Sequence, residues 1–383
     1  MKVLIIAIGH PDNVFSLALH LAEKVDITVL YVVAGSRSQR GILDLDLREL
    51  KNGHYNSEES NAIFPEHITE MSKGKFNLEL LKLPSYKITN YKNYELFLSL
   101  NRYINKNSFD IIHYNGATGF IYLLYILNKN KRKQFWTLHD YKSHSGEGNK
   151  KTDFITRFIA RRKKLILVQH YQYLKDAVIK DFRIPESKVF LLYSGPLAVF
   201  SFFSTSYNLV PNEQYILFFG RISKYKGVDL LLKAYNKIDN PGYKLVVAGK
   251  GDIDETVNNN HIIIHNKYIP TEELIGLIKK AAFIVTPYRD ATHSAVIATA
   301  YEFNKPVIAS NVMGLNEVVA NNKTGKLFRP NSIDDLKNKM ETLMNDPGLI
   351  REYEKNIAFE LKKGLLSWDN ITDAYVKSYR QQA

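Results

Sequence analysis

Residues 215–232 read YILFFGRISKYKGVDLLL, and this stretch decides the fold of the chain. Its first five residues are apolar and predict a buried strand, while the run that begins at Val228 predicts a helix. Between them lie a glycine, Gly220, and two separated cations, Arg221 and Lys226. A strand-to-helix turn presents free backbone N–H groups, and the cations add a bidentate donor and a point charge. The turn suits a diphosphate, although such a turn taken alone is more often simply solvated.

The same alternation of apolar runs and amphipathic stretches extends along the whole chain. Short β-branched runs, such as 3–8, 27–33 and 78–83, alternate with helical stretches such as 14–21. This rhythm is typical of βαβ units around a parallel sheet. It closes near residues 194–196 and then restarts, so we expect the 383 residues to form two α/β domains.

Composition and cysteine content exclude several classes of protein. Hydrophobic residues make up 45% and charged residues 24% of the chain, which are values of a folded globular protein. No window reaches the roughly 18 uninterrupted apolar residues of a membrane span, and Met1 leads into a strand pattern instead of a signal peptide. Cysteine is absent, which excludes disulfides, thiolate metal sites and cysteine nucleophiles. We therefore expect a cytosolic protein.

The net charge of +13 indicates an anionic partner, which leaves nucleic acid, a phosphorylated substrate and an anionic membrane surface open. Two basic runs, 129–133 and 161–164, lie at the ends of apparent helices. A solvated helix end is the simpler interpretation, and a lipid headgroup or lipid diphosphate is the alternative. We expect no nucleic acid, because the aromatic residues mostly fall on apolar faces and no nucleic-acid-binding motif accompanies them.

Two polar stretches of the first half interrupt the rhythm. The segment from Gly35 to Lys75 lacks periodicity and predicts a long, mobile excursion, and Lys142 to Lys151 predicts a polar loop. Ligands of open α/β sheets lie beyond the carboxyl ends of strands. Both stretches are therefore predicted to approach a substrate, but neither reveals which one.

The second half carries further motifs, PYRDATHSAV at 287–296, TAYEFNKPVIAS at 299–310 and GLNEVV at 314–319, followed by TGKLF at 324–328. In order and spacing they resemble the donor-binding half of the retaining GT-B glycosyltransferases of family four. The resemblance covers nearly the whole second half. The first half resembles that family mainly in its strand rhythm and in the strand end at 137–140.

The resemblance implies the GT-B fold, in which two Rossmann-like α/β domains face a central cleft. Residues 1–195 would then be the acceptor-binding domain and 196–365 the nucleotide-sugar donor-binding domain. The last segment, 366–383, has aromatic residues on one helical face that need a surface to pack on. We predict that this C-terminal helix crosses back to the first domain.

The resemblance also implies roles for individual residues. Arg221 and Lys226 would hold the donor diphosphate and balance the charge of the leaving nucleoside diphosphate, with no metal and no other cofactor. Gly220 belongs to the same turn. Gly9 would let the backbone of the first domain approach the donor, and His139 would project towards the transferred sugar.

Further donor contacts are implied along the second half. The backbone at Ser294, Ala295 and Val296 would add N–H donors to the same phosphates. Tyr268 lies in the segment 265–270, whose backbone would contact the base. Such contacts do not indicate which base is bound.

The chain departs from the family at two glutamates that typical members carry eight positions apart. Ala291 and Thr299 stand at those positions. Asp290, one residue earlier, is a candidate for the missing carboxylate, and Thr299 would give the ribose one hydroxyl contact. A second departure is His10, where members often have a second glycine.

The resemblance implies a retaining glycosyltransferase that moves a sugar from a nucleoside diphosphate sugar to a saccharide or lipid-linked saccharide, in bacterial surface polysaccharide synthesis and peripherally at the inner face of the membrane. The alternative is a catalytically silent partner that binds glycan or stabilises an active glycosyltransferase. Loss of both glutamates motivates that alternative. A nicotinamide-dependent dehydrogenase is disfavoured, because the turn after the first strand, which contains Gly9, lacks the Gly-x-Gly-x-x-Gly pattern.

Overall fold

The computed structural model describes residues 1–35, 41–87, 90–116, 133–139, 150–239, 241–253, 259–291 and 294–382. The chain divides into two compact units. Unit 1 comprises Met1–Ser194 with Trp368–Ala383, and unit 2 comprises Gly195–Ser367. Each unit is an α/β unit built on a parallel or mostly parallel sheet, which confirms the predicted fold class.

The sheet of unit 1 has eight strands among the described residues. In chain order they are β1 Lys2–Ala7, β2 Asp26–Ala34, β3 Gly53–Tyr55, β4 Asn77–Leu83, β5 Ile111–Asn115, β6 Lys133–Thr137, β7 Leu165–Gln169 and β8 Val189–Leu191. Their spatial order is β3-β4-β2-β1-β5-β6-β7-β8. Neighbours run parallel, except that β3 pairs antiparallel with β4. The central strands are buried because helices pack on the sheet.

Helices connect these strands within the described parts of unit 1. They are α1 Pro11–Leu21, α2 Ser57–Asn61, α3 Glu66–Ser72, α4 Lys92–Lys106, α5 Lys150–Ala160 and α6 Gln172–Phe182. Apolar residues at helical spacing bury one face of α4 in the core of the unit. Among the described residues, no helix combines the length and the apolar composition that a membrane span requires.

The prediction of an aperiodic excursion from Gly35 to Lys75 is wrong for residues 53–72, which form β3, α2 and α3. A capping box starts α2, since the Asn56 side chain accepts from the backbone N–H of Glu59 and the Glu59 carboxylate accepts from that of Asn56. Ile68 and Met71 are fully buried. These elements are only three to seven residues long, too short to show a period. Residues 36–40, most of the predicted loop 142–151 and most of the basic run 129–133 lie outside the described residues.

Unit 2 has a six-stranded, wholly parallel sheet among its described residues. Its strands are β9 Tyr215–Phe219, β10 Lys244–Ala248, β11 Ile262–His265, β12 Ile284–Thr286, β13 Val307–Ser310 and β14 Gly325–Phe328. Its helices are α7 Val228–Asn236, α8 Thr271–Lys280, α9 Ala295–Glu302, α10 Ile333–Met344 and α11 Pro347–Lys363. The spatial order is β11-β10-β9-β12-β13-β14, and one continuous apolar core surrounds the sheet.

The chain ends in α12, Trp368–Gln382, which belongs to unit 1. The Trp368 ring stacks on the His20 ring of α1, with centroids 4.6 Å apart and planes 5° from parallel. The buried Tyr379 hydroxyl lies 2.6 Å from Nδ1 of His113, in β5. The aromatic face of this helix therefore packs on unit 1 and contacts a central strand.

Candidate functional site

Unit 2 has a topological switch point between β9 and β12. The chain adds β10 and β11 on one side of β9 and then returns to place β12 on the other side. Connections that leave in opposite directions open a crevice at the carboxyl ends of two such strands. The turn 220–227 follows β9, and the segment 287–294 follows β12. The predicted diphosphate residues therefore lie at the place where this sheet type binds ligands.

Glycine allows these two connections to touch. Gly227 ends a 3-10 turn, Lys224–Lys226, with a φ of 69°, and a Cβ at this position would lie 2.0 Å from the carbonyl oxygen of Pro287. A side chain is thus excluded by both conformation and contact. The close approach holds the turn that carries Lys226 against the segment after β12.

Lys226 lies in an unusual environment for an ammonium group. Its Nζ is 3.7 Å from the ring centroid of Tyr288 and 5.1 Å from that of Tyr225, a cation–π arrangement. Burial lowers the pKa of Lys226 to about 8, and the positive charge of Arg221 contributes to the shift. Two neighbouring cations, one of them desolvated, are stabilised when an anion binds between them.

Arg289 anchors the same turn. Its guanidinium donates to both carboxylate oxygens of Asp229, at 2.7 and 2.6 Å, and to the carbonyl oxygen of Lys224 at 2.7 Å. Its backbone N–H donates to the carbonyl oxygen of Tyr225, also at 2.7 Å. The Arg289 side chain lowers the pKa of the Asp229 carboxyl group, as expected of a bidentate pair. Arg289 is therefore a positioning residue for Lys226, a role that the sequence did not predict.

The first turn of α9 faces the same crevice. Ser294 caps this helix, since its hydroxyl oxygen accepts from the backbone N–H of Ile297 at 3.4 Å. The N–H groups of Ala295 and Val296 have no acceptor within the helix. A Cβ built on Gly220 would lie 3.6 Å from a methyl group of Val296. The structure thus brings the helix start next to the glycine of the basic turn.

The other predicted donor residues are exposed or are bonded elsewhere. Asp290 is exposed, whereas Ala291 is buried. Thr299 is 3% exposed and its hydroxyl donates to the carbonyl oxygen of Ala295 at 2.8 Å, so its proton is not available to a ribose. Tyr268, beyond β11, is 47% exposed. Its neighbour Asn266 exchanges two hydrogen bonds with the backbone of Gly251, at 3.1 and 2.9 Å, which ties the two strand ends together.

Unit 1 has a corresponding switch point between β1 and β5. Gly9 and His10 follow β1 with φ values of 72° and 48°, and the His10 ring stacks on that of His139 with centroids 4.0 Å apart. His139 follows β6, is 7% exposed and has its Nε2 2.8 Å from Oδ1 of Asn115, at the end of β5. The structure therefore places Gly9 and His139 at one edge of the first sheet.

A buried polar network connects this edge to α12. Nε2 of His113 lies 2.8 Å from the hydroxyl oxygen of Thr137, and its Nδ1 contacts the Tyr379 hydroxyl. Burial lowers the pKa of His113 to about 3, so this ring is neutral. Thr137 ends the strand that leads directly to His139. The C-terminal helix thus supports the strand that carries a predicted site residue.

Some residues of these edges escaped the sequence analysis, and the signals differ. His170 follows a strand directly, so a survey of polar residues after strands would have found it. Gly249 follows β10, and a Cβ there would lie 1.8 Å from the carbonyl oxygen of Gly220. A Gly-Lys-Gly run after a strand was the available signal. Arg289 carried none, because its partners are distant in sequence.

Comparison with known proteins gives a family match in the second unit. Residues 200–359 match the family model described as glycosyl transferases group 1. An uncharacterized glycosyltransferase of Methanocaldococcus jannaschii is 29% identical over 226 residues, which is 54% of this chain and 57% of that protein. The chain thus spans just over half of that relative. Another uncharacterized glycosyltransferase of the same organism is 24% identical over 100% of this chain and 98% of its own length.

Solved structures give the same result for the fold. The Anabaena protein HepE, solved in complex with UDP-glucose, superposes with a TM-score of 0.68 at 15% identity and covers 100% of both chains. At this identity the likeness shows the fold alone.

Proposed function

We infer the function from residues 200–359, through which this chain belongs to the glycosyl transferases group 1. The chain transfers a sugar from a nucleoside diphosphate sugar to a saccharide or lipid-linked saccharide. We propose that it does so with retention of anomeric configuration and without a metal or other cofactor. The proposed setting is surface polysaccharide synthesis. Unit 2 would bind the donor and unit 1 the acceptor.

One observation carries this proposal: Arg221, Lys226 and the first turn of α9 meet at the switch point of the second sheet. Two cations and free N–H groups suit a diphosphate better than any neutral ligand. The similarity to a protein solved with UDP-glucose supports a nucleotide sugar as donor. These groups would act on the charge that develops as the nucleoside diphosphate leaves, which is electrostatic stabilisation of the transition state.

The proposed reaction needs no protein nucleophile. The bond between the anomeric carbon and the diphosphate oxygen breaks, and a bond from that carbon to the acceptor hydroxyl oxygen forms on the same face of the sugar. The acceptor proton passes to the departing phosphate oxygen. Ala291, at the position of a family carboxylate, is compatible with this reaction because the leaving group serves as the base.

The experiment is calorimetric titration of UDP, GDP, ADP, CMP and dTDP into the purified protein, with and without Mg²⁺. We expect one diphosphate to bind without Mg²⁺ and Arg221→Ala to abolish the binding. Lys237→Ala is the matched control, since it removes one cation from unit 2 that is paired with Asp334. Binding that survives in Arg221→Ala would refute the diphosphate assignment.

Two observations favour the silent-partner alternative: Ala291 stands where typical family members carry a carboxylate, and the Thr299 hydroxyl is already bonded. Hydrolysis of the cognate nucleotide sugar distinguishes the two functions. A transferase releases nucleoside diphosphate slowly even with water as acceptor. A silent partner would bind the diphosphate but release none from the sugar conjugate.

We further propose that unit 1 contacts an anionic membrane surface when the acceptor is lipid-linked. On α5, Phe154 is 71% and Phe158 54% exposed, one helical turn apart, and the Arg162 guanidinium lies 5.2 Å from the Phe158 ring. Exposed aromatic and basic residues together are typical of helices that bind at the lipid interface. Co-sedimentation with phosphatidylglycerol vesicles should weaken with salt and in Phe154→Ser/Phe158→Ser. Phe359→Ser, which removes an exposed phenylalanine of unit 2, should bind as wild type.

A further inference from the structure

His170 is a buried histidine at the carboxyl edge of the first sheet that the proposed reaction does not use. It follows β7 directly and is 8% exposed. Its Nδ1 lies 2.6 Å from the carbonyl oxygen of Leu192, but its Nε2 is buried without a hydrogen-bond partner among the described residues. A buried polar atom without a partner is uncommon in folded proteins. It therefore points to a group that binds there.

The partner of Nδ1 determines which kind of group is missing. A carbonyl oxygen only accepts, so Nδ1 of His170 must carry the ring proton. Burial lowers the pKa of His170, and a positive charge on His10 would lower it further, so the ring is neutral at neutral pH. A neutral ring protonated at Nδ1 has a bare lone pair on Nε2. The missing group is a hydrogen-bond donor, and an unprotonated phosphate is excluded.

The surroundings of His170 suit a sugar ring. Thr137 pairs with Val168 in the sheet, so His139 and His170 leave neighbouring strands at the same level, and their rings lie 5.5 Å apart. The His10 ring stacks on His139. Among the described residues, Asp12 interacts electrostatically with His10, and the neutral His113 with His170. Aromatic faces next to one buried acceptor match the C–H face and a hydroxyl group of a saccharide.

We propose that Nε2 of His170 accepts a hydrogen bond from a hydroxyl group of a bound saccharide, and that the stacked rings of His10 and His139 form the adjoining wall of this subsite. The inference rests on the proposed function, because that function supplies two saccharides, the sugar of the donor and the acceptor. Both present the same chemistry. The test distinguishes them.

Two substitutions separate a substrate contact from a structural role. His170→Asn places an amide N–H near the position of Nδ1, keeps the bond to Leu192 and removes the acceptor at Nε2. His170→Gln places an amide near the position of Nε2, with its oxygen as acceptor, and gives up the bond to Leu192. A substrate contact predicts that the glutamine variant retains saccharide binding and the asparagine variant does not. A merely structural role predicts the reverse order.

The first measurement compares the dissociation constants of UDP and UDP-glucose. If the hydroxyl belongs to the donor sugar, His170→Asn weakens UDP-glucose about tenfold, the loss expected for one hydrogen bond, and leaves UDP unchanged. If it belongs to the acceptor, both constants stay at wild-type values. The ¹⁵N resonance of His170 Nε2 in the wild-type protein should then shift on addition of methyl glucosides or methyl galactosides.

A variant His170→Asn with wild-type constants, together with a His170 resonance that ignores both UDP-glucose and the methyl glycosides, would overturn the inference. The proposed function fails differently: the wild-type protein would bind no nucleoside diphosphate, or Arg221→Ala would bind it normally. Whether or not the protein binds a nucleoside diphosphate, the resonance of His170 shows whether a saccharide binds next to this ring. Failure of one proposal is therefore distinguishable from failure of the other.

Discussion

The carboxyl edges of the two sheets share a topology and differ in chemistry. Each edge has a switch point where the chain reverses direction, between β1 and β5 in unit 1 and between β9 and β12 in unit 2. The edge of unit 2 holds two cations beside aromatic rings and a helix start. The edge of unit 1 holds the buried histidines His139 and His170, and burial lowers the pKa of His170, so this ring is neutral. The fold thus determines where a ligand binds, and the few residues that follow the strands determine which ligand.

Among the variants that compare the two edges, the largest effect is expected from Lys226→Met, which removes the desolvated cation of the second edge. Nucleoside diphosphate affinity should fall roughly 100-fold, because hydrogen bonds between charged groups contribute up to about 3 kcal/mol. The melting temperature of the unliganded protein should not fall, since burial of the ammonium is itself unfavourable. Calorimetry measures the expected loss of affinity, and thermal unfolding measures the melting temperature. A loss of stability that parallels the loss of binding would mean that Lys226 is a structural residue.

The pH dependence of binding comes next in size. Lys226 has a folded-state pKa lowered to about 8, so the protonated form that binds an anion is dominant below that pH and lost above it. Between pH 7.5 and 9.5 the affinity for the diphosphate should fall roughly twentyfold. Lys226→Arg, which stays charged over this range, should give a flat profile. A wild-type profile as flat as that of the arginine variant would contradict the assignment.

Replacing Arg289 tests whether diphosphate binding at the second edge depends on the contacts that hold the turn of Lys226. Arg289→Ala leaves the partly exposed Asp229 carboxylate unpaired and frees the turn that carries Lys226. Diphosphate affinity should fall about tenfold, a loss smaller than that from Lys226→Met. The double variant with Asp229→Ala should not be weaker than Arg289→Ala alone, because the two residues act as one clamp. Additive losses would show that they act independently.

The smallest effect on ligand binding is expected from unit 1. Tyr379→Phe removes the hydroxyl that contacts His113 and leaves a buried ring nitrogen without its partner. The free energy of unfolding of unit 1 should fall by about 1–3 kcal/mol. Diphosphate affinity should stay at the wild-type value. A fall in that affinity would show that the two edges are energetically coupled.

Much of the fold was predictable because it depends on local pattern. Buried parallel strands read as apolar runs, so Tyr215–Phe219 was located to the residue. Short elements without a full period, such as Gly53–Tyr55, were not predicted from the sequence. The C-terminal helix was predicted from its aromatic face, and its burial against unit 1 follows from the same residues.

The candidate sites were predictable only in part. Arg221 and Lys226 could be identified from the sequence because a glycine and two cations stand in one short turn. The sequence gives no such signal for Arg289 and His170, since their roles depend on partners 22 to 65 positions away in the chain. The fates of Ser294 and Thr299 also depend on the tertiary structure: Ser294 caps a helix at the crevice, whereas the Thr299 hydroxyl bonds its own helix backbone.

By itself the sequence determined that two parallel α/β units form, and it predicted that one strand-to-helix turn binds an anion. These properties follow from periodicity and local residue chemistry, which act over one or two turns of chain. Only the tertiary structure decided that β9 and β12 are neighbours, that Arg289 clamps the turn of Lys226, and that His10, His139 and His170 share an edge. Sheet order brings distant strand ends together, and burial then sets the protonation of the groups that meet there.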